Sequence, residues 1–416
     1  VPQYRMAKAN LGNALAGTRA VARWPIGTVE SIKAATPKRL RAYYETNYRP
    51  DNATLIVVGN IDPAKIEAEI KTRFGDWKPA DKGQSVDLGA PSPTTSASEF
   101  VGEGAPDVLT LSWVGPVDRR ADTEARDREQ IARFVALTVL NARIAERAAK
   151  PGSPYVGGQA VVMTDLMDSA AITQIGIAAA PEKWAAALDA IIEEQRQAIG
   201  SPIGADELER AKAQVLSVSQ SAVAGAATRT NDNLAGRLVQ SVNEDELFTS
   251  PEQDLELVRA VLADLTPEAV AAALQSAFAG KGPLLFRSAQ KDPIGVAALE
   301  TQLEASFAKP LAARAAEVAV AWPYDTFGPD GRVVLRKFDQ ELGATLVTFA
   351  NGTRLAVKQT HLAEPVPVDL DRNIPANALR ELSRLLSSSD SDSARLSVTD
   401  RQVVFNVDGS ILATNT

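Results

Sequence analysis

The spacing of apolar positions sets out the elements. Residues 28–48 carry Leu40, Tyr43, Tyr44 and Tyr48 at helical spacing, with Thr36 as an N-cap and Pro37 at the first helical position. This predicts helix, ended by Arg49-Pro50-Asp51-Asn52. Ala53 to Gly59 is a short β-branched apolar run that predicts a buried strand, and Asp62-Pro63 opens an amphipathic helix through Phe74. From Lys78 to Ser98 the chain is rich in Pro, Gly, Ser and Thr and has no apolar period, so it predicts an exposed crossing, with a domain boundary near Gly89 to Ser98.

Asp107 to Val114 predicts a strand. Thr123 to Ala149 predicts a long helix whose broad apolar face holds Ile131, Phe134, Val135, Leu137, Val139, Leu140 and Ile144. Strands are expected at Tyr155 to Met163 and Ala170 to Ala179, and helices at Pro181 to Gly200, from Ala205 into the 220s, and in pieces to Ala279. Pro283 to Arg287 returns to strand, and Asp292 to Ala316 to helix. The interleaving is not a regular βαβ alternation, so the expected class is α+β, with antiparallel-rich sheet and helices on one face.

Residues 318–339 read as mixed, with turn signals at Trp322-Pro323 and Gly328-Pro329-Asp330-Gly331. Leu346 to Phe349, Asn351-Gly352 and Leu355 to Val357 then form a predicted hairpin. Beyond it come a helix at Ala376 to Leu386, a polar loop at Ser387 to Ser393, and strands at Ala394 to Val398 and Gln402 to Val407. The domain plan is 1–88, a linker 89–97, 98–310, a linker 311–344, and an incomplete module 345–416.

Composition narrows the chemistry. The chain has 416 residues, 44 basic and 52 acidic side chains, and a net charge of −8, which argues against an electrostatic nucleic-acid binder. No run of about 18 apolar residues is present to span a bilayer. The first residues lack the pattern of a signal peptide, and the start reads as an interior cut. With no cysteine and one histidine, thiolate metal sites, a cysteine nucleophile and a two-imidazole zinc site are excluded within this sequence.

His361-Leu362-Ala363-Glu364-Pro365 begins like H-x-x-E-H, but proline in the fifth place cannot ligate and breaks the helix such ligands need. Asp390-Ser391-Asp392 is too sparse for a carboxylate cation site. No phosphate loop and no G-x-S-x-G elbow occur. Tyr43, Tyr44, Tyr48 and Tyr155 read as core or turn packing, and Arg143 and Arg147 as a solvated helix face. Arg143 and Arg147 are four residues apart on one helix face just before the Lys150 to Tyr155 turn, where they could anchor a peptide backbone or carboxylate.

Pro25-Ile26-Gly27-Thr28, Tyr43-Tyr44 through Tyr48-Arg49-Pro50-Asp51-Asn52-Ala53, and Leu55 to Asp62 resemble the insulinase/pitrilysin family of zinc metallopeptidases. The resemblance continues through Phe74-Gly75-Asp76-Trp77, Asn141 to Arg147 with Ser153-Pro154-Tyr155, and Glu207 to Lys212, covering about residues 1–350. It implies repeated α+β domains paired into a chamber where unfolded peptides add as a β-strand beside the zinc. On this resemblance residues 1–77 are the second half of a first domain.

The resemblance also implies Zn2+ in the complete family member, but the family's H-x-x-E-H precedes the part matched here. This chain is therefore expected to hold no cofactor and no catalytic residue, and to supply scaffold and chamber wall. Arg143, Arg147 and Tyr155 are carried as substrate-binding candidates. Expected partners are unfolded peptides and a half or subunit bearing H-x-x-E-H. The family habit is periplasmic, with the cytoplasm as the alternative, and the other functional reading is a noncatalytic partner subunit. The tail, Ile374 to Leu386 and Gln402 to Phe405, resembles a fragment of a bacterial DNA polymerase sliding clamp, with the changeover between Thr345 and Val357; the alternative is that 345–416 is the start of a third peptidase-family domain. A clamp-like interaction module is thus a third reading.

Overall fold

The computed structural model describes residues 2–78, 86–311, 314, 331–358, 395–398, 402–407 and 410–415. Two compact units result, Val1–Val320 and Ala321–Thr416.

The first unit begins with α1 (Pro2–Ala14), α2 (Arg19–Ala22), α3 (Val29–Lys33), α4 (Pro37–Asn47) and α5 (Pro63–Phe74). The predicted helix over 28–48 is two helices. Thr36 precedes Pro37, which disfavours α geometry at Thr36, and its side chain accepts a hydrogen bond from the Arg39 N–H to start α4. Asp62 caps α5 in the same way through Ala64 and Lys65.

The strand expected at Ala53 to Gly59 does not form. That stretch pairs with no strand among the described residues, and Leu55 and Val57 are exposed. An apolar β-branched run becomes a strand only when a neighbour takes its peptide groups and a layer covers its side chains. The tyrosines Tyr43, Tyr44 and Tyr48 are likewise exposed rather than core, and Tyr44 stacks on Tyr48 with ring centroids 4.9 Å apart.

The body of this unit is a five-stranded sheet. β1 (Ala97–Val101), β2 (Val108–Gly115), β3 (Gly157–Leu166), β4 (Ala170–Ala178) and β5 (Lys281–Ala289) lie in the order β1-β5-β2-β4-β3. Only β1 and β5 run parallel; the other neighbours are antiparallel. The sequence pattern did not predict β1, whose Ser98, Glu99 and Phe100 are not a plain apolar run.

The helices are α6 (Glu124–Ala149), α7 (Trp184–Gly200), α8 (Ala205–Ala224), α9 (Asn231–Glu244), α10 (Pro251–Asp264), α11 (Pro267–Ala277) and α12 (Val296–Ala308). Leu109, Leu111 and Trp113 of β2 point to one face and join α6, α7, α8, α11 and α12 in the main core. The expectation of helices on one face needs one addition. Val114, Ile172 and Leu284 on the opposite face pack on Ala14, at the end of α1, and on Leu15 just beyond it. The α+β class stands.

The second unit holds β6 (Val333–Asp339), β7 (Ala344–Phe349) and β8 (Arg354–Val357) in one antiparallel sheet, and β9 (Arg395–Val398), β10 (Gln402–Val407) and β11 (Ser410–Asn415) in another. β6 and β11 were not predicted. The β7–β8 hairpin was, but its turn has three residues rather than two. Gly352 takes φ 86°, Asn351 keeps negative φ, and Asn351 Oδ1 accepts from Thr353 N–H at 3.0 Å. The expected helix at Ala376 to Leu386, His361 and Asp390-Ser391-Asp392 lie outside the described residues.

Leu140 of α6 has no solvent exposure and sits in the main core. Leu140→Ala is expected to lower unfolding free energy by about 3 kcal/mol, because the cavity left behind adds to the lost transfer energy. Urea denaturation checks this.

Candidate functional site

The sequence candidates converge where α6 ends. Thr123 caps α6 through Arg126 N–H, and the apolar stripe fixes which residues turn away from the core. Arg143 is 2% exposed and forms a bidentate pair with Glu207 of α8, Nε to Oε1 and Nη2 to Oε2 both at 2.7 Å. The N–H of Gly204, one residue before α8, also donates to Glu207 Oε2 at 2.9 Å. Burial pushes the Glu207 carboxyl up, but the Arg143 and Gly204 hydrogen bonds outweigh it and hold it below the usual range.

Arg147, one turn on, bridges Glu193 at 2.9 Å and Glu194 at 3.0 Å on α7. Tyr155 is buried, and its hydroxyl donates to the carbonyl of Ile144 at 3.2 Å. Burial, reinforced by the charge of Glu194, pushes that hydroxyl up to about 12. The structure therefore brings all three candidates together and gives each an internal partner. The acidic partners Glu193, Glu194 and Glu207 were not singled out from the sequence, although Glu207 stands in a stretch that carried the family resemblance.

Next to them is the open edge of the sheet. β3 is the last strand, with β4 on its inner side only. The Asn141 amide donates to the carbonyl of Ala160 at 3.1 Å and accepts from its N–H at 2.6 Å. The peptide groups of Ala160 thus face away from β4, and the alternation of an antiparallel pair turns those of Gly158 and Val162 the same way. A cavity of about 480 Å3 runs beside this edge, lined by Phe134, Leu137 and Asn141 of α6, Gln159 to Val162 of β3, and Val215 and Val258. Half-exposed Phe134 gives it an apolar wall.

A second cavity, about 700 Å3, gathers Asp122, Asp127, Glu246 and Asp254 with Ile131, Leu247 and Phe248. Burial and the neighbouring Asp122 push Asp127 up, and burial with Glu244 and Asp122 pushes Glu246 up. Among the described residues, no group of three or more His, Asp or Glu side chains is placed to hold a metal ion. No described helix is long and apolar enough to cross a membrane.

Removing the Glu207 charge should leave Arg143 buried without its counter-ion. Glu207→Gln is expected to lose about 3 kcal/mol of stability near neutral pH. Because the folded carboxyl titrates below its unfolded value, this contribution is complete above about pH 4.3 and fades as pH falls through the folded value. Denaturation midpoints of the two proteins should therefore converge in acid.

Residues 34–215 match the Peptidase M16 inactive domain. The probable zinc protease PqqL of Escherichia coli is 25% identical over 273 residues, 65% of this chain and 29% of that protein. The Haemophilus influenzae protein of the same name is 33% identical over 92 residues, 22% of this chain and 10% of that protein. The chain thus covers less than a third of the length of these curated relatives. Among solved structures, the periplasmic protease PqqL from Escherichia coli superimposes with a TM-score of 0.66 at 21% identity, covering 87% of this chain and 40% of that one. The first half of the same protease gives 0.64 at 22% identity, covering 76% and 69%. The ferredoxin protease FusC, in complex with Arabidopsis ferredoxin, gives 0.59 at 18% identity, covering 87% and 41%. The structures share this fold, and the sequence matches support the peptidase M16 family for this chain.

Proposed function

We propose that this chain is the noncatalytic part of a zinc peptidase of the M16 type, forming scaffold and one wall of a chamber that admits unfolded peptides. The observation that carries this reading is the match of residues 34–215 to the inactive domain of that family. The sequence agrees with it, since a single histidine and no cysteine leave no two-imidazole zinc site. In this reading residues 1–88 belong to a first domain and 98–310 form a second.

The exposed apolar side chains of α3, α4 and the 53–61 stretch, among them Ile32, Leu40, Tyr43 and Leu55, form the surface that a complementing half carrying H-x-x-E-H would cover. The compartment is the periplasm, as for the solved PqqL. Zinc belongs to the complementing half, where it would supply the activated water, and this chain contributes peptide positioning.

The positioning element in this reading is the edge of β3. An extended peptide pairing at Gly158 or Val162 gains backbone hydrogen bonds whatever its sequence, and the apolar cavity beside the edge takes alternate side chains. The Asn141 amide already occupies Ala160, which sets the register such a peptide can adopt. An unstructured peptide added to the chain is expected to slow hydrogen exchange at Gly158 and Val162 while leaving Ala160 unchanged. Uniform exchange across β3 with and without peptide would remove the edge from this account.

The chain alone should not cleave a fluorogenic unstructured peptide, and mixing with a subunit bearing H-x-x-E-H should restore cleavage. Cleavage by the purified chain with stoichiometric metal would overturn the reading. Binding to that subunit without cleavage would favour the partner-subunit alternative. The clamp-like interaction module is kept as a third reading of the tail on its sequence resemblance alone. Deleting residues 358–416 should then abolish tail-dependent binding and leave complementation intact.

A further inference from the structure

The connection between α9 and α10, residues 245–250, is tied to the start of α6 through one carboxylate. The N–H of Leu247 donates to Asp122 Oδ2 at 2.8 Å. Leu247 and Phe248 are exposed, and α9 itself buries no side chain. Little apolar contact holds the connection, so polar groups decide where it lies.

Asp122 has a second partner. The carboxyl of Asp127, in the first turns of α6, hydrogen-bonds to it. Two carboxyls make such a bond only with a proton between them. The cations nearby are too few to replace that proton. Around the cavity of about 700 Å3 stand Asp122, Glu124 and Asp127 on the α6 side, Glu246 on the connection, and Asp254 and Glu256 on α10. Against them are Arg237 of α9 and Arg128 of α6, and Arg128 already pairs with Glu124 at 2.9 Å. Glu244 adds further negative charge beside Glu246. Arg126 is buried 3.9 Å from Asp122, but it divides its charge with Asp118 at 3.5 Å.

Burial, the charge of Asp122 and the bond to it hold the Asp127 carboxyl above its ordinary range, and burial with Glu244 and Asp122 does the same for Glu246. Groups that titrate higher when the connection is docked favour docking in acid, and that support is lost as pH rises through their folded values.

We propose that the α9–α10 connection is a proton-operated latch. A proton shared by Asp122 and Asp127 keeps Asp122 in place to receive the Leu247 N–H; its loss to water leaves two repelling carboxylates, moves Asp122 and frees the connection. The cavity behind the latch shares Gln130, Ile131 and Val258 with the groove beside β3. Release therefore opens that groove from one side, a consequence that rests on the β3-edge reading, whereas the latch itself does not.

The test is amide hydrogen exchange of the full chain without peptide, from about pH 4 to about pH 8, each rate taken relative to an unstructured peptide of the same sequence. Protection of Leu247 is expected to fall by about tenfold or more as pH rises. Protection of Leu111 in β2 should stay constant. Asp127→Asn keeps a donor toward Asp122 that cannot ionise, and should reduce the fall at Leu247 to the smaller part that Glu246 contributes. Asp127→Ala removes the donor and should leave Leu247 weakly protected even in acid. A flat Leu247 profile, an undiminished fall in Asp127→Asn, or loss of Leu111 protection in step with Leu247 overturns the latch. None of these outcomes touches the β3-edge reading, since no peptide takes part.

Discussion

β2 has a strand on each side and apolar cover on both faces, so the eight residues Val108–Gly115 decide where the rest of the first unit must go. An inner strand cannot leave peptide groups unpaired or apolar side chains wet. Odd positions from Leu109 to Trp113 therefore require a helical layer, and α6 with its neighbours supplies it. Trp113 closes that layer edge-to-face on Phe278, with centroids 4.7 Å apart. Val114 requires cover on the other side, which Leu15 and Ala14 provide across a separation of about a hundred residues of chain.

Charge ties the helices to this frame at a few buried points. Arg287 of β5 meets Glu99 of β1 at 2.5 Å, and Glu99 also accepts from the N–H groups of Ile294 and Gly295 at the start of α12. Arg143 to Glu207 joins α6 to α8, and Arg147 joins α6 to α7. Such pairs are weak stabilisers against an apolar replacement but costly to break singly. Their effect is to fix how the helices sit on the sheet, and they draw Arg143 and Arg147 of α6 inward, away from the solvated helix face expected of them.

Long periodic elements were legible in the sequence. The 26 residues of α6, the strands β2, β4 and β5, and the caps at Thr36 and Asp62 follow from local pattern and hydrogen-bonding chemistry. Where an element depends on a partner the local signal misleads. Ala53 to Gly59 has strand composition and no strand beside it, while β1 has a mixed composition and is a strand because β5 receives it. The candidate site was half legible. Arg143, Arg147 and Tyr155 were found by spacing and resemblance, but Glu207 lies 64 residues from Arg143. No periodicity announces a pairing across that distance. Asn141 was hidden for the same reason, since its bond to Ala160 spans a loop and a turn.

The contact between Asn141 and Ala160 has a further consequence for how the protein behaves in a crowded solution. An uncovered sheet border is a template on which a second copy can extend the same hydrogen-bonded ladder, and so the start of a fibril. One carboxamide lying where a neighbouring chain's peptide unit would go interrupts that ladder at its middle rung. The border can then take a short guest segment, but a long one from a sister molecule finds no continuous run of vacant donors and acceptors to zip along.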